Sequence, residues 1–386
     1  MKVLIVSQYY HPYVSGLTVY AKRLAQGLAS RGNNVIVLTM DHSRGCDGVE
    51  SMDGVVVHRL PCLLRFHRGS FTPLLLWKFI RLLRSADVIN IHLPLFEAGV
   101  MAFLASAIGH RRVVITYHCD ISINQGLIGF ILGALYSISL QLAAKMSLVI
   151  IMNSFNYAQY SKLSGFIGKV KAIVPPILDD RFIKKDGKVF RLKHGLSMQG
   201  RVIGFVGRLV HEKGLIYLIK ALPSIIERHP FAQCVIAGEG KLVAGGEKES
   251  VLTQLRVLIN QLGLTSKVVF TGLLSDEEVV SFYSACDLLV LPSVDPLESF
   301  GMVQAEAMLC GCPVVASDMP GVNEAIGLTG MGICVQPRDS GRLAKAVCDV
   351  LDNPELYIKD NKIIREFFSL SKTIDQYESA FRSAVD

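Results

Sequence analysis

Two glutamates lie close together in the stretch "DPLESFGMVQAEAMLCGCPVV", residues 295 to 315. Glu298 precedes a Ser-Phe-Gly run, and Glu306 follows after seven intervening residues, inside an apolar pattern typical of a helix. If that helix begins near Gly301, its free N–H groups point back at the loop and can hold a phosphate. A carboxylate beside a phosphate is costly unless it accepts hydrogen bonds from ligand hydroxyls. A sugar and a ribose supply such hydroxyls on opposite sides of a diphosphate, so the spacing suits a nucleotide-sugar.

Two cations follow an earlier strand-like run, in "GFVGRLVHEKG". Arg208 and Lys213 can clamp a diphosphate, one through its planar fork and the other as a point charge, and the glycines around them give room. Near the N-terminus, Gly16 comes just before a helical pattern, where a small residue lets backbone N–H groups approach an anion. Surface cations and turn glycines are common, so neither feature alone distinguishes a phosphate site from an ordinary loop.

The elements that must position these residues alternate along the chain. Continuous Val/Ile runs bounded by helix-length segments predict parallel sheets covered on both faces, and ligands bind outside the carboxyl ends of such strands. The alternation restarts after "VPPILDD", so we predict an α/β protein of two doubly wound αβα domains joined near Pro175 and Pro176. The predicted strands are "KVLIVS", "NVIVLT", "VVVHRL", "DVINIH", "RVVITYH" and "LVIIMNS", then "RVIGFVG", "QCVIAGEG", "KVVFTG", "DLLVLPS" and "PVVASD".

Length and cysteine usage bound the class of protein. The 386 residues are 51% hydrophobic, which is enough to bury two large cores. The nine cysteines show no C-x-x-C spacing, and a strand-like run begins directly after Met1. These features favour a reducing, cytoplasmic protein over a secreted disulfide framework or a zinc protein.

The net charge of +7 is unevenly distributed. Residues 1–174 carry 17 Lys and Arg against 7 Asp and Glu, whereas the remainder carries 23 against 26. The segment 59–84 holds six basic residues and no acid, interleaved with Leu, Phe and Trp77. It suits an anionic surface, either phospholipid headgroups or a phosphorylated substrate, and equally an ordinary solvated helix. No recognition helix, aromatic platform or zinc pattern accompanies the charge, which argues against nucleic acid as a partner.

The segment 121–144 contains no charged residue and approaches the length of a membrane span. It also contains Ser137, Ser139, Gln141 and three glycines, and it lies between two predicted sheet strands. We therefore expect a buried or interfacial helix there, one that could help the basic segment contact a membrane.

The motifs together resemble one family. The two glutamates with "SFG", "EAM" and "GCPVVASDMPGVNE" are similar to the E-x7-E signature of retaining GT-B glycosyltransferases, the large family-4 group. "GRLVHEKG", "VIAGEGK" and "VVFTGLLSDEEVVSFYSACDLLVLPS" resemble that group's diphosphate loop, its glycine-rich segment near the nucleoside, and the following strand, turn and helix. The match is strongest from Gly204 to Glu324. "PYVSGLTVYAKRLAQGLASRGNNVIVLT" resembles the N-terminal loop and helix, with Ser15 and Gly16 where many members have two glycines.

The resemblance implies a GT-B fold, in which two Rossmann-like domains face each other across a cleft. We expect an acceptor-binding domain over 1–174, a nucleotide-sugar-binding domain over 175–359, and a C-terminal helix over 360–386 that crosses back to the first domain. The residues implied to bind the donor are Gly16, Gly238, Leu273, Phe300, Gly301, Met302, Val303 and Glu306, the last of them through the ribose hydroxyls.

Four residues are implied to carry the chemistry. Arg208 and Lys213 would neutralise the leaving diphosphate, and Glu298 would hydrogen-bond sugar hydroxyls. His118, in "TYHCD", matches the family's histidine beside the donor sugar and the acceptor. A lone histidine at a strand end is usually structural, but the matched context favours the functional role. His11 and Asp120 are second-rank candidates.

The charge that develops in the reaction decides the expected mechanism. Breaking the anomeric C–O bond places additional negative charge on the nucleoside diphosphate, and no Asp-x-Asp metal motif occurs in the chain. A helix terminus and two cations can stabilise that charge instead. We therefore predict a hexosyltransferase-type enzyme that needs no metal or cofactor and transfers the sugar with retention. Its donor is a nucleoside-diphosphate-sugar, with a UDP-sugar expected on frequency.

Two other readings remain open. A sugar-nucleotide epimerase or a phosphorylase on the same architecture would act without an acceptor hydroxyl. A non-catalytic sugar-nucleotide-binding module would be expected to have lost key residues, all of which are present here. For the transferase, the N-terminal domain should hold a glycan, lipid-linked or small-molecule acceptor. We expect a cytoplasmic enzyme, peripheral on the inner face of the cytoplasmic membrane through residues 59–84.

Overall fold

The computed structural model describes residues 1–42, 48–66, 69–108, 112–121, 126–239 and 251–385. Two compact units make up the chain, Met1–Pro176 together with Leu370–Asp386, and Ile177–Ser369. The first division falls at Pro176, close to the predicted boundary between 174 and 175. The segment 360–369 was expected to be part of a crossing helix but belongs to the second unit.

The first unit is built on a mostly parallel sheet. Its strands are β1 Lys2–Val6, β2 Asn34–Asp41, β3 Gly48–Met52, β4 Val55–Pro61, β5 Leu64–Phe66, β6 Gly69–Phe71, β7 Val88–Leu93, β8 Arg112–Tyr117, β9 Val149–Met152 and β10 Val170–Ala172. The order across the eight-stranded sheet is β10-β9-β8-β7-β1-β2-β4-β3, with β3 antiparallel to β4. Strands β5 and β6 form a separate antiparallel hairpin. The Val/Ile-rich strands pair in parallel, as the continuous apolar runs predicted.

Helices cover both faces of this sheet. They are α1 Gly16–Ser30, α2 Pro73–Leu83, α3 Ala98–Phe103, α4 Gly126–Met146 and α5 Phe155–Tyr160, with a π-helical turn over Leu104–Ile108 and a 3-10 turn over Ser164–Lys169. Helix α1 begins at Gly16, two residues before the start of the helical spacing in the sequence, because Ser15 and Thr18 cap it reciprocally. The inner residues of α2, α3 and α4 share one core with Leu4 and Val6 of β1 and Ile89 and Ile91 of β7. These three helices therefore lie on the same face of the sheet.

The second unit repeats the architecture with a six-stranded sheet. Its strands are β11 Val202–Val206, β12 Gln233–Ala237, β13 Val268–Gly272, β14 Leu288–Leu291, β15 Val314–Ser317 and β16 Gly332–Val335. Every pairing is parallel, and the order is β13-β12-β11-β14-β15-β16. Its helices are α6 Lys188–Lys193, α7 Leu215–Arg228, α8 Val251–Gln261, α9 Asp276–Ala285, α10 Met302–Leu309, α11 Glu324–Thr329, α12 Ser340–Asp352, α13 Pro354–Tyr357 and α14 Asn361–Phe367. The prediction of two doubly wound parallel-sheet domains is confirmed.

The C-terminal segment returns to the first unit as a helix of its own, α15, which spans Leu370–Val385. It packs against α1, β7 and β8, so it lies on the sheet face opposite to α2, α3 and α4. Arg31 pairs with Asp375 at 2.8 Å, and Asn33 donates to Glu378 at 2.6 Å. The single helix predicted over 360–386 is thus two helices, of which the second packs on the first unit.

The basic segment 59–84 is not one continuous surface. Arg59 lies on β4, is 4% exposed and pairs with Glu50 of the neighbouring strand β3, which removes it from any membrane-facing role. Sequence order hid this pairing because the acid precedes the segment. Arg68 lies outside the described residues. On α2, the exposed guanidinium of Arg81 lies 3.8 Å from the centre of the Trp77 ring.

One carboxyl group is buried in the first unit. Glu97, just before α3, is 4% exposed, and neither of its carboxyl oxygens has a hydrogen-bond partner among the described residues. Burial raises the pKa of Glu97 from 4.5 to about 7. The side chain is therefore protonated in mildly acidic solution.

This burial predicts a pH-dependent gain in stability for Glu97→Gln. Between pH of about 4.5 and about 7, the Glu97 carboxyl is ionised in the unfolded chain but still protonated in the folded protein. The free energy of unfolding of the wild type therefore falls as pH rises through this interval. The variant removes this loss, so its advantage should grow over that interval and level off above it, at up to about 3 kcal/mol. Urea unfolding at several pH values measures it, with the exposed Glu355→Gln as control. An advantage that does not change with pH would contradict the burial argument.

Candidate active site

The chemistry-bearing loops of the second unit meet where the strand order reverses. Strand β11 lies between β12 and β14, and the chain after β11 goes on to β12 whereas the chain after β14 goes on to β15. Connections on opposite sides of such a point leave a crevice at the carboxyl ends of the strands. Arg208 and Lys213 lie in the loop after β11, and Glu298 lies in the loop after β14. The fold thus brings the predicted cations and the first glutamate to the same edge.

Backbone contact joins these two loops. Gly214 has φ 65°, and a Cβ there would lie 1.9 Å from the carbonyl oxygen of Pro292. The N–H of Val294 donates to the carbonyl of Glu212 at 2.9 Å. Only a glycine permits this approach, because any side chain would collide with the backbone opposite. The loop carrying Lys213 is therefore fixed against the loop carrying Glu298.

A second close approach joins the loops after β11, β12 and β13. Gly238 has φ 140°, and a Cβ there would lie 1.9 Å from the carbonyl oxygen of Gly207. Its N–H donates to the carbonyl of Gly272 at 2.8 Å, and the next residue, Leu273, is 63% exposed. Gly238 and Leu273, predicted to bind the donor, therefore lie at the same edge as Arg208. An exposed leucine there offers apolar surface to a flat ring.

The two predicted sugar- and phosphate-binding side chains contact each other. Lys213 Nζ donates to Glu298 Oε2, and both side chains are less than one-fifth exposed. Sequence reasoning assigned them separate partners, and spacing alone gave no signal that they pair. Arg208 is exposed and has no partner among the described residues, so it is the cation that a ligand can reach without displacing an ion pair.

Helix α10 begins as the sequence predicted. Gly301, its N-cap, has φ 74°, and a Cβ there would lie 2.4 Å from Leu291 Cδ2. Met302 and Val303 form the first turn, where helix geometry provides no intrahelical acceptor for the backbone N–H. Gln304, which sequence reasoning missed, is fully buried and donates from its amide to the carbonyl of Phe300 at 2.7 Å. A polar side chain within this apolar helix was the available signal.

The second glutamate is held from a neighbouring helix. Glu306 is 6% exposed and lies in the second turn of α10. Tyr283 of α9, also missed from the sequence, donates its hydroxyl to Glu306 Oε2 at 3.0 Å. The ring of Phe300 is 2% exposed and packs edge-on against Phe368, so only its backbone can serve a ligand. The carboxylate of Glu306 is thereby kept in one orientation.

The remaining predicted residues belong to the first unit. Gly16 is the exposed first residue of α1, and a Cβ there would meet nothing within 4 Å. The protein itself therefore does not require glycine at this position. Asp120 accepts from the hydroxyl of Tyr117 and from the N–H of Lys162 at 3.2 Å, which is a structural use of this second-rank candidate.

His118, after β8, ends a buried hydrogen-bond chain that sequence reasoning missed. Its Nε2 lies 2.9 Å from His92 Nδ1, and His92 Nε2 lies 2.8 Å from Asn90 Oδ1. The amide nitrogen of Asn90 is used by Val114 O and Thr116 Oγ1, which leaves Oδ1 as the acceptor for His92. One histidine near the end of β7 and another directly after the neighbouring strand β8 were the signal that could have found it.

This chain fixes the tautomer of His118. Burial lowers the pKa of His118 to about 3, and burial together with the nearby His118 lowers the pKa of His92, so both rings are neutral. Since His92 donates from Nε2, its Nδ1 accepts from His118 Nε2, and His118 Nδ1 keeps the lone pair. His118 is therefore equipped to accept a hydrogen bond from a hydroxyl.

The C-terminal helix contributes to the same buried cluster. The hydroxyl of Tyr377 lies 2.6 Å from that of Tyr20 and 3.2 Å from Thr116 Oγ1. The Tyr20 ring packs edge-on against His118, with ring centres 4.7 Å apart. Tyr377 of α15 therefore supports the histidine pair indirectly, because it contacts Tyr20 of α1 and Thr116 of β8.

Family models match both units of the chain. The model for glycosyl transferases group 1 matches residues 188–366, and a glycosyl transferase 4-like domain matches residues 15–163. An uncharacterized glycosyltransferase of Methanocaldococcus jannaschii is 30% identical over all of this chain and 99% of its own length. The chain belongs to the glycosyl transferases group 1 family. The predicted family resemblance is confirmed.

Two further likenesses place this glycosyltransferase among its relatives. A D-inositol 3-phosphate glycosyltransferase of Corynebacterium jeikeium is 35% identical, over 48% of this chain and 44% of its own length. The fold of Anabaena HepE, crystallised with UDP, matches with a TM-score of 0.77 at 23% identity, over 99% of this chain and all of that one. The likeness to HepE shows the fold, and the predicted GT-B class is confirmed. The roles of the individual site residues stay predictions.

Gly301→Ala should destabilise the glycosyltransferase by about 2 to 4 kcal/mol. The positive φ at Gly301 and the contact with Leu291 both oppose a side chain there, and the start of α10 must shift. Gly327→Ala is the matched control, since its Cβ meets nothing within 4 Å within α11. That control should be neutral or stabilising by about 0.4 to 1 kcal/mol. Equal unfolding free energies for the two variants would contradict this account.

Tyr377→Phe should lower the unfolding free energy by about 1 to 2 kcal/mol. The change keeps the ring but leaves the buried hydroxyl of Tyr20 without its partner at 2.6 Å. Tyr160→Phe is the control, because Tyr160 is 74% exposed and its loss should be close to zero. Denaturant titration of both variants measures the difference. A neutral Tyr377→Phe would mean that the cluster does not depend on α15.

Proposed function

We propose that this glycosyltransferase moves a hexosyl group from a UDP-sugar to an acceptor hydroxyl, with retention at the anomeric carbon and without a metal ion. The observation that carries the proposal is the convergence of Arg208, the Lys213–Glu298 pair and the start of α10 at one strand edge. Further support comes from Anabaena HepE, which was crystallised with UDP and with UDP-glucose.

The first step of the proposed reaction is loss of the leaving group. The anomeric C–O bond breaks and its electron pair goes to the diphosphate. The N–H groups of Met302 and Val303 and the guanidinium of Arg208 would stabilise the charge that develops there. Lys213 would add to this while remaining next to Glu298.

The second step forms the new bond on the same face of the sugar. The acceptor oxygen attacks the anomeric carbon from the leaving-group side, and its proton passes to the departing phosphate oxygen. Glu298 would orient the sugar through hydroxyl hydrogen bonds instead of attacking it, because a carboxylate paired with Lys213 is a poor nucleophile. Glu306, held by Tyr283, would bind the ribose hydroxyls.

We propose a glycan or lipid-linked acceptor, on a cytoplasmic enzyme that works at the inner face of the cytoplasmic membrane. The basic excess of residues 1–174 supports an anionic or phosphorylated acceptor environment. The histidine His118, with its Nδ1 lone pair, would accept from a hydroxyl of the sugar or of the acceptor.

The test is donor binding followed by turnover. A bound donor stabilises the folded state by mass action, so UDP-sugars should raise the melting temperature more than GDP- or ADP-sugars. Arg208→Ala should lower kcat by about 100- to 1000-fold, as expected for loss of one electrostatic stabiliser, while the melting temperature without donor changes little. Arg208→Lys should recover part of the rate. Near-normal turnover of Arg208→Ala, or loss of turnover in EDTA, would overturn the proposed mechanism.

A further inference from the structure

Exposed apolar side chains of the first unit concentrate on one helical layer. Helices α2, α3 and α4 lie on one face of its sheet, and α1 and α15 lie on the other. Among the described residues, α1 and α15 expose no large hydrophobic side chain, whereas each helix of the opposite layer does. The exposed residues of that layer are Leu74, Trp77, Ile80, Val100, Phe103, Leu127, Ile128, Phe130, Ile131, Leu135 and Ile138.

Helix α4 contributes the largest share. Leu127 is 76% exposed, Phe130 is 69% exposed and Ile138 is 65% exposed. With Ile131 and Leu135 they recur at helical spacing along the outer side of a helix that carries no charge before Lys145. Soluble monomers rarely expose a continuous apolar surface of this kind without a partner.

By length and composition alone α4 could cross a membrane, and only 28% of its most apolar stretch of 18 residues is buried. The fold argues against a span. Both of its ends connect to neighbouring strands of one sheet, β8 and β9, and its inner residues Tyr136 and Leu140 are part of the core. The hydroxyl of Ser139 donates to Phe96 O at 2.6 Å and accepts from the N–H of Gly99 at 2.9 Å. A helix fixed in this way can lie on a bilayer but cannot cross it.

Basic side chains accompany this apolar surface. From 73 to 169 the chain has eight Lys and Arg against three Asp and Glu, an excess of five basic residues. Of the three acids, Glu97 is only 4% exposed. Exposed Lys162 and Phe130 line the same small cavity beside α4, of about 220 Å³. Exposed Arg81 lies on α2, and exposed Arg84 is the C-cap residue directly after it. The segment that forms the layer therefore carries an excess of basic over acidic side chains.

We propose that the outer side of α2, α3 and α4 is a docking surface for an anionic lipid bilayer, with α4 lying in the plane of the interface. Apolar side chains in the headgroup region and cations beside anionic headgroups are the two contributions that hold an interfacial helix on a membrane. The purpose, delivery of a lipid-linked acceptor, rests on the proposed function, but the docking itself requires neither donor nor acceptor.

A second copy of the chain fits this surface less well. A two-fold dimer through the layer would place the same basic side chains of both copies close together, where they repel. An anionic bilayer instead offers the opposite charge along with the apolar phase. Charge complementarity therefore favours the membrane.

Flotation of the full chain with vesicles tests the proposal. Vesicles of phosphatidylcholine with about one-third phosphatidylglycerol should carry the protein upward, phosphatidylcholine alone should carry far less, and about 0.5 M salt should weaken the binding. Leu127→Gln with Ile138→Gln should reduce binding by about tenfold or more, since both side chains leave water on docking. Arg81→Gln with Arg84→Gln should reduce it mainly on anionic vesicles.

The matched control replaces exposed apolar residues elsewhere. Val189→Gln with Leu192→Gln changes two side chains of α6 in the second unit that are 71% and 69% exposed, and it should float like the wild type. Failure of the wild type to float, or α4 variants that float normally, overturns the docking surface. If the wild type does not bind vesicles but forms a dimer, and the α4 variant is a monomer, the membrane proposal is overturned in favour of self-association. The rise in melting temperature with UDP is measured on the same variants. A variant that keeps this rise but no longer floats has lost only the docking surface, whereas a wild type that shows no rise contradicts the proposed function.

Discussion

The close backbone approach of loops at one edge of the second sheet is the constraint on which the candidate site depends. Gly214 against Pro292 and Gly238 against Gly207 leave no room for side chains, so three strand-end loops are held together by main chain. Hydrogen bonds between those loops add to the constraint. Main-chain contacts of this kind position side chains more firmly than surface ion pairs do, because few bonds are free to rotate.

Electrostatics divide the site into a paired and an unpaired part. Lys213 and Glu298 compensate each other's charge in a partly buried position, whereas Arg208 is exposed at the same edge. The N-terminal end of α10, which follows the loop that carries Glu298, provides a fixed partial positive charge. An anion arriving there meets preorganised dipoles and one accessible guanidinium, and it does not have to separate an existing ion pair.

The first unit is specialised differently on its two sheet faces. One face is closed by α1 and α15, which together hold the Tyr20, Tyr377 and His118 cluster in a neutral, buried state. The other face presents helices whose outer sides remain apolar. A sheet with helices on both faces can therefore carry a polar network on one side and an interaction surface on the other without either disturbing the other.

The sequence by itself determined the alternation of strands and helices, the two parallel sheets, the start of α10 at Gly301 and the family. These features follow from local pattern, since apolar runs, caps and glycines act over a few residues. Only the tertiary structure decided that Lys213 pairs with Glu298, that Arg59 is buried against Glu50, and that Asn90 and His92 orient His118. Such pairings join residues distant in sequence, and which of them meet depends on strand order and register, which no local pattern encodes.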